Sequence, residues 1–131
     1  MDLEILKIAS NTENNKIIKN HTHSSKHKNP LCGDEMKISL KIENNKILNF
    51  GYQCKSCIYC QASVSLLSRN SINKSIDNLK NVINIVDNYF EQENIIFPKE
   101  WSIFNKLFLK KNISRKECLK LPFITLLKAL R

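Results

Sequence analysis

The sequence has 131 residues, enough for one compact domain, and 42% of them are hydrophobic, which argues against a disordered chain. The formal net charge is +9, but no run of basic residues exceeds two, so the charge gives little support to nucleic-acid binding. The chain has no stretch of ~18 apolar residues and no basic, apolar leader, so we expect a cytoplasmic protein without membrane association. Thiols stay reduced there, and five cysteines then favour metal or sulfur chemistry over disulfides.

The first part of the chain, residues 1–28, is predicted to supply an N-terminal helix and a polar loop to a single domain covering 1–131. Spaced apolar residues predict an amphipathic helix over 3–19 that breaks near Asn11. The polar stretch 20–29 is predicted to be a loop. Its three histidines are possible metal ligands, but solvated side chains are the favoured interpretation. They are His21, His23 and His27.

A period-two pattern on both sides of Asn44-Asn45 predicts a β-hairpin. Pairing residues whose numbers sum to 90 puts the large apolar side chains of both strands on one face, and a slip of one residue destroys the match. The apolar pairs in this register are Ile42–Leu48, Leu40–Phe50 and Ile38–Tyr52. We therefore expect a two-stranded antiparallel unit with one buried face.

The same register, extended outward, sets Asp34 against Ser56 and Cys32 against Ile58. The hairpin therefore brings Cys32, Asp34 and Cys57 to one end, although the two cysteines are 25 positions apart. Gly33 allows the backbone to turn so that its two neighbours point the same way.

Helical patterns dominate the second half of the chain. One helix is predicted from Cys57 to Arg69 and a longer one over 72–91, with an apolar stripe. A short helix over 100–110 follows Pro98, and a last helix begins at Pro122, a residue suited to a first turn. The stripe of the 72–91 helix consists of Ile72, Ile76, Leu79, Val82, Ile83, Val86 and Phe90. Trp101 is predicted to belong to the core.

A fourth candidate ligand is Cys118, which follows Arg115 and Lys116. We expect these two basic residues to lower the pKa of its thiol, and the amides at a helix N terminus to favour the thiolate of Cys57. Three thiolates and one carboxylate suit tetrahedral zinc or a small iron–sulfur cluster. A carboxylate is a harder ligand than a thiolate, so such a site should hold metal less tightly than four cysteines would. The spacing of Cys54, Cys57 and Cys60 would also fit part of a zinc knuckle.

Three motifs carry a family resemblance: NPLCGD at 29–34, CIYCQASVSLL at 57–67 and SRKECLKLPF at 114–123. With them the chain resembles the IscU/NifU/SufU-like family of iron–sulfur cluster assembly scaffold proteins. The resemblance implies an α/β (α+β) fold in which a small antiparallel β-sheet packs against several α-helices. It also implies a shallow site that receives sulfur from a cysteine desulfurase. Carried over by motif, the site residues are Cys32, Asp34, Cys57 and Cys118.

The chain departs from the family pattern near the middle motif. Ser56 stands where many relatives have glycine, Cys60 often corresponds to serine, and relatives lack a cysteine at Cys54. Both extra cysteines are interpreted as buried side chains, with a backup ligand or a persulfide relay as the alternatives. The long separation of Cys57 from Cys118 looks more like the SufU-type branch, some members of which are zinc-dependent sulfur acceptors.

Three functions follow as hypotheses. The first is a non-enzymatic scaffold that holds a labile [2Fe–2S] cluster, or iron, on the four residues for transfer to apoproteins or carrier proteins. The second is a sulfurtransferase in which Zn²⁺ orders the same residues and Cys118 accepts a persulfide. The third is a structural zinc module that binds nucleic acid. Cys118 is chosen as the acceptor because it is far in sequence from the hairpin and can move without disturbing it.

Overall fold

The structure, a computed structural model, describes residues 3–92 and 95–131 and forms an α+β fold around one three-stranded antiparallel sheet. The strands are β1 (His23–Lys28), β2 (Glu35–Glu43) and β3 (Lys46–Lys55), in that order across the sheet. The helices are α1 (Leu3–Ala9), α2 (Ile58–Asn70), α3 (Ile76–Asn88) and α4 (Lys116–Ala129), with two 3-10 segments at Lys99–Lys106 and Lys110–Arg115. Among the described residues, none of the helices combines the length and hydrophobicity needed to cross a bilayer.

The hairpin of β2 and β3 has the predicted register over most of its length. Ile38 pairs with Tyr52 and Leu40 with Phe50, and these four side chains are buried. Beyond Lys41 the register shifts by one, so that Ile42 faces Ile47 and the predicted Ile42–Leu48 pair is wrong.

The turn explains this shift. Asn44 and Asn45 both have positive φ, at 51° and 65°, which is typical of a two-residue type I′ turn and pairs Glu43 with Lys46. The turn and the apolar pairs therefore require registers that differ by one residue. A bulge at Leu48 absorbs the difference, which leaves Leu48 on the surface and buries Ile47.

The prediction of a polar loop over 20–29 is wrong, since most of this stretch is the edge strand β1. Its residues alternate only between half-buried and exposed, so no apolar period marks the strand. Pairing with β2 satisfies its backbone, and the Ser25 hydroxyl donates to the Thr125 carbonyl of α4. Tertiary contacts therefore create this strand.

The helices differ from prediction mainly at their ends. α1 ends at Ala9, which agrees with the predicted break near Asn11, but the part of the predicted 3–19 helix that follows the break does not form. α2 agrees within a residue, and α3 occupies the centre of 72–91, with Ser75 accepting a hydrogen bond from the Asn78 amide as its N-cap. The predicted 100–110 helix is a 3-10 segment in which Trp101 is fully buried.

The predicted start of the last helix at Pro122 is wrong, because α4 begins at Lys116 and contains Pro122 in its interior. Proline has no N–H, so it cannot donate to the carbonyl four residues earlier, which is that of Cys118. The apolar face of the helix is nevertheless buried on both sides of this position, including Leu119 and Phe123. Packing thus extends the helix through a residue that usually begins one.

Gly51 allows the chain segment between α1 and β1 to pass close to the backbone of β3. A Cβ on this residue would overlap the carbonyl oxygen of Lys16, which lies in the segment between α1 and β1. Nearby, the Tyr52 amide donates to the Asn14 carbonyl at 3.0 Å, and the Ile18 amide donates to the Ser39 hydroxyl at 3.1 Å. A side chain at position 51 would push this segment away.

We expect Gly51→Ala to lower the free energy of unfolding by about 1–3 kcal/mol, because the backbone of Lys16 must shift to admit the methyl group. Urea unfolding followed by circular dichroism measures the change. Gly33→Asn is the control, since position 33 has open space and asparagine tolerates its positive φ. Equal stabilities for Gly51→Ala and the unchanged protein would contradict the crowding argument.

Candidate metal centre

Cys32 lies on a tight loop between β1 and β2 that Asn29 organises. The Asn29 side chain is buried, and its Oδ1 accepts from the amides of Leu31 at 2.8 Å and Cys32 at 3.4 Å. Its backbone closes the loop, with the Gly33 amide donating to the Asn29 carbonyl and the Asn29 amide donating to the Asp34 carbonyl, both at 2.9 Å. Gly33 has φ +77°, a value that favours glycine. The loop therefore presents an exposed Cys32 in a defined position.

Asp34 and Cys57 meet where the hairpin ends and α2 begins. Pairing of β2 with β3 stops at Glu35 and Lys55, so the predicted extension of the ladder to Asp34–Ser56 and Cys32–Ile58 does not form. Instead, the carboxylate Oδ2 of Asp34 accepts a hydrogen bond from the Cys57 amide at 3.2 Å. Cys57 is the N-cap residue of α2, where a carboxylate is favoured by the helix dipole. Its thiol makes no cap hydrogen bond and remains available.

Cys118 comes to the same place from the other end of the chain. It is the third residue of α4, and it is only 5% exposed. α4 is fixed against α2 by the buried Ser63 hydroxyl, which donates to the Leu119 carbonyl at 2.7 Å. The residue after Cys118 is thus anchored directly to the helix that Cys57 begins.

These elements place the predicted site residues together. One ligand atom from each of Cys32, Asp34 and Cys118 (two sulfurs and a carboxylate oxygen) lies within 4.8 Å of the others. Cys57 joins this triad through the hydrogen bond that its backbone amide donates to Asp34, and its thiol is close enough to Cys118 to influence the pKa of that residue. The four residues that the sequence nominates therefore share one end of the sheet, although Cys57 is outside the most compact group.

The electrostatics of Cys118 differ from the prediction. Burial raises the pKa of its thiol well above the usual value, and the neighbouring Cys57 thiol and the negative charges of Cys57, Asp34 and Cys32 raise it further. The predicted lowering by basic neighbours is wrong. The Arg115 guanidinium lies over the Tyr59 ring instead, with its carbon 5.4 Å from the ring centroid.

The acidic groups around Cys118 are arranged in a way that suits a bound cation. Several groups that become anions when deprotonated converge on one point, and each disfavours ionisation of Cys118. A bound metal ion reverses the balance, because it stabilises thiolates and offsets the repulsion among them. The donor set of sulfur and carboxylate oxygen suits zinc or iron.

The two extra cysteines lie beside the site. Cys60 is fully buried and Cys54 is half-buried opposite Met36, as predicted. Burial raises the pKa of both thiols, and the nearby Ser56 hydroxyl opposes the increase. The Ser56 oxygen is itself buried without a well-aligned hydrogen-bond partner among the described residues.

The structural roles of two residues near the site, Asn29 and Ser56, were not predicted from the sequence. Asn29 has a recognisable signal, since an asparagine before proline often bonds the backbone two residues on. Ser56 has none, because its burial depends on how β3 meets α2.

We expect Asn29→Ala to destabilise the loop by about 1 kcal/mol, because the Leu31 and Cys32 amides lose their shared acceptor. Amide hydrogen exchange should accelerate at Leu31 while the sheet amides of β2 keep their protection. Asn29→Asp retains an acceptor oxygen and is the matched control. Unchanged exchange at Leu31 in Asn29→Ala would show that the backbone bonds alone hold the loop.

Comparison with known proteins finds similar chains and similar folds. A relative from Thermotoga maritima, an iron–sulfur cluster assembly scaffold protein IscU, is 27% identical over 104 residues, covering 79% of this chain and 73% of the relative. The N-terminal part of a NifU-like protein from Brucella abortus superposes with a TM-score of 0.89 at 22% identity, covering 99% of this chain and 91% of that one. A protein described as a putative iron–sulfur cluster assembly scaffold for the SUF system of Fervidobacterium islandicum AW-1 superposes with a TM-score of 0.81 at 24% identity. The match covers 100% of this chain and 96% of that one.

The two structural likenesses establish the fold. The family is established by the sequence itself, because the profile of the NifU-like N-terminal domain matches residues 2–93, which include Cys32, Asp34 and Cys57. Cys118 lies beyond the matched range, and the tertiary structure brings it to Cys32 and Asp34. The chain belongs to the NifU-like N-terminal domain family.

Proposed function

We propose that this protein is an iron–sulfur cluster assembly scaffold that takes sulfur from a cysteine desulfurase. It holds a labile [2Fe–2S] cluster, its cargo, on Cys32, Asp34, Cys57 and Cys118 for transfer to apoproteins or carrier proteins. The observation that carries the proposal is the convergence of Cys32, Asp34 and Cys118 within 4.8 Å, with the Cys57 amide hydrogen-bonded to Asp34. The name of the Thermotoga maritima relative supports the same function.

Ready release of cargo is supported by the asymmetry of the site. Cys118 is buried at its base, whereas Cys32 is exposed on its loop and can be reached by another protein. The carboxylate of Asp34 is a harder ligand than a thiolate and weakens the hold on iron. A site with one buried, one exposed and one weak ligand is suited to temporary storage.

A zinc-dependent sulfurtransferase is the second candidate, and the compactness of the triad favours it. Ligands of one tetrahedral ion with metal–sulfur bonds of about 2.3 Å lie about 3.8 Å apart, so atoms within 4.8 Å need to move by only about 1 Å. A single zinc ion on Cys32, Asp34 and Cys118 therefore fits with little rearrangement. In this function the zinc orders the site and a thiolate accepts sulfur.

Anaerobic reconstitution separates the two candidates. The metal-free protein is incubated with iron, cysteine and a desulfurase, and the absorbance spectrum and the iron, sulfide and zinc contents are measured. We expect about two iron and two sulfide per chain for the scaffold. Zinc that survives reconstitution, together with stimulated desulfurase turnover, would instead support the sulfurtransferase. Salt-dependent binding to DNA or RNA by the zinc form alone would favour the structural zinc module.

Cys118 remains our predicted persulfide acceptor, and its place in α4 gives a reason. Its carbonyl lacks a donor from Pro122, and the first turn of α4 has no side-chain cap, so the segment 116–118, which precedes the anchored Leu119, is held less firmly than an ordinary helix start. We expect it to open and expose the thiol, which is buried when closed. Peptide mapping by mass spectrometry after brief reaction with a desulfurase and cysteine should find the first added sulfur on Cys118. Sulfur on Cys32 alone would assign acceptance to the exposed thiol instead.

A further inference from the structure

Cys57 and Cys60 form a dithiol across the first turn of α2. Cys57 is the half-buried N-cap residue with φ −71° and ψ 168°, and Cys60 is the third residue of the helix, fully buried. A CxxC pair at a helix N terminus, with an accessible first thiol and a buried second one, is the arrangement of thiol–disulfide redox centres. Cys60 has no part in the ligand set proposed above.

The two sulfurs can be joined with little movement. Side chains three residues apart on a helix have Cβ atoms about 5–6 Å apart, and a disulfide needs about 3.5–4.5 Å. Cys57 lies at the end of the helix in an extended conformation, and its backbone is tied to the helix by the Gln61 amide, which donates to its carbonyl at 3.1 Å. Closing the gap therefore calls for a small rotation at Cys57 rather than unwinding of α2.

We propose that Cys60 is a resolving thiol that converts a persulfide on Cys57 into sulfide. The sulfur of Cys60 attacks the inner sulfur of the Cys57 persulfide, a Cys57–Cys60 disulfide forms, and the bond to the outer sulfur breaks. The outer sulfur leaves as hydrosulfide and takes up the proton of Cys60, so that H₂S is released. The two thiol sulfurs are oxidised by two electrons in total, and the transferred sulfur is reduced by two.

This inference rests on the proposed function, in which a desulfurase delivers sulfur to the site. The thiols of Cys57 and Cys118 are close enough to interact, which offers a route by which a persulfide on Cys118 passes to Cys57 by thiol exchange. The product matters because an iron–sulfur cluster contains sulfide, whereas a persulfide carries sulfur at a higher oxidation state. The Cys57–Cys60 dithiol supplies the missing electrons within the same chain.

The position of Ser56 supports the role of Cys60 as the resolving thiol. Its buried hydroxyl lacks a well-aligned partner among the described residues and lies near the Cys60 thiol, so it can donate a hydrogen bond to that sulfur as the proton leaves. Cys54 is also near Ser56 but is fixed in β3, opposite Met36. It lacks the one-turn spacing to Cys57 and serves as the matched control.

The disulfide has a consequence for the order of events. While Cys57 is joined to Cys60, its sulfur is not a free thiolate and cannot bind iron or zinc. A small dithiol or a dithiol reductase must therefore reduce the disulfide before Cys57 takes its place as a ligand. Sulfide production and metal binding at Cys57 alternate rather than coincide.

The test uses the full chain, freed of metal and reduced, and loads it anaerobically with inorganic polysulfide. After excess reagent is removed, released sulfide is measured without added thiol, and cysteine pairing is mapped by alkylation and mass spectrometry. We expect one Cys57–Cys60 disulfide per sulfide released. Cys60→Ser and Cys60→Ala should keep the persulfide and release sulfide at least about tenfold more slowly, whereas Cys54→Ser should match the unchanged protein. Circular dichroism checks that each variant folds.

Equal release from Cys60→Ser and the unchanged protein would overturn the inference, as would a disulfide that maps to Cys54. A parallel arm replaces polysulfide by a cysteine desulfurase and cysteine. If polysulfide but not the desulfurase loads the chain with persulfide, and sulfide release depends on Cys60, the role of Cys60 as a resolving thiol would be supported. The same result would contradict a desulfurase as the sulfur source. Loading by both without dependence on Cys60 would contradict the resolving thiol alone.

Discussion

Cys118→Ser is expected to lower the iron or zinc content after anaerobic reconstitution by at least about tenfold. A serine hydroxyl stays protonated near neutral pH and does not replace a thiolate as a soft ligand. Cys118 is also the proposed ligand that α4 contributes beside the β1–β2 loop, so its loss would separate distant parts of the chain at the site. Metal content by elemental analysis, measured beside cluster absorbance, gives the result.

Thermal unfolding supplies a second readout for the same variant. A metal that binds only the folded chain raises its midpoint of unfolding. We expect added metal to stabilise the unchanged protein and to leave Cys118→Ser unaffected. Cys54→Ser removes a partly buried thiol near the site and is the matched control, with metal content close to normal. If Cys54→Ser loses its metal and Cys118→Ser retains it, the metal would instead be bound by the cysteines around Cys57 that have the spacing of a zinc knuckle.

The second large effect is expected from Asp34→Ala. In a scaffold, the carboxylate promotes exchange of the cluster, so its removal should slow transfer to an acceptor apoprotein by about tenfold and lengthen the lifetime of the bound cluster. In a zinc sulfurtransferase, the same change should weaken zinc binding, because an anionic ligand is lost. Transfer is followed by circular dichroism in the visible range, and zinc affinity by competition with a chelator.

The structure adds a reason to compare Asp34→Ala with Asp34→Asn. The carboxylate also accepts from the Cys57 amide at 3.2 Å, so alanine removes both the proposed ligand and the cap of this amide at the start of α2, a loss of about 0.5–2 kcal/mol in stability. Asparagine keeps an acceptor for the amide but not the negative charge. Similar transfer rates in the two variants would assign the effect to ligation, and rescue by asparagine would assign it to the cap. Faster transfer in Asp34→Ala would contradict both accounts of the site.

Local sequence patterns determined the hairpin and α2. The period of two around Asn44-Asn45 selects the Ile38–Tyr52 and Leu40–Phe50 pairs, because a shift of one residue would expose every apolar side chain. The same reasoning failed at Leu48. There the geometry of the two-residue turn competes with apolar pairing, and period alone does not show which of the two a bulge will satisfy.

The family was also within reach of the sequence through its motifs, and the meeting of Asp34 with Cys57 could be anticipated because both are close to the ends of one hairpin. The profile match to residues 2–93 agrees with that resemblance. The Asn29 loop could be anticipated in part, since asparagine, proline and glycine each have specific local preferences. Their hydrogen bonds span only a few residues.

Only the tertiary structure decided what depends on distant contacts. β1 has no apolar pattern and becomes a strand because β2 offers it backbone partners. α4 continues through Pro122 because its buried faces outweigh the lost hydrogen bond. Cys118 follows two basic residues in sequence, yet in the fold it is buried against Cys57, Asp34 and Cys32, and the pKa of its thiol is raised rather than lowered. Neighbours in space set the environment of this thiol, and a linear sequence reveals them only where a local pattern fixes the pairing.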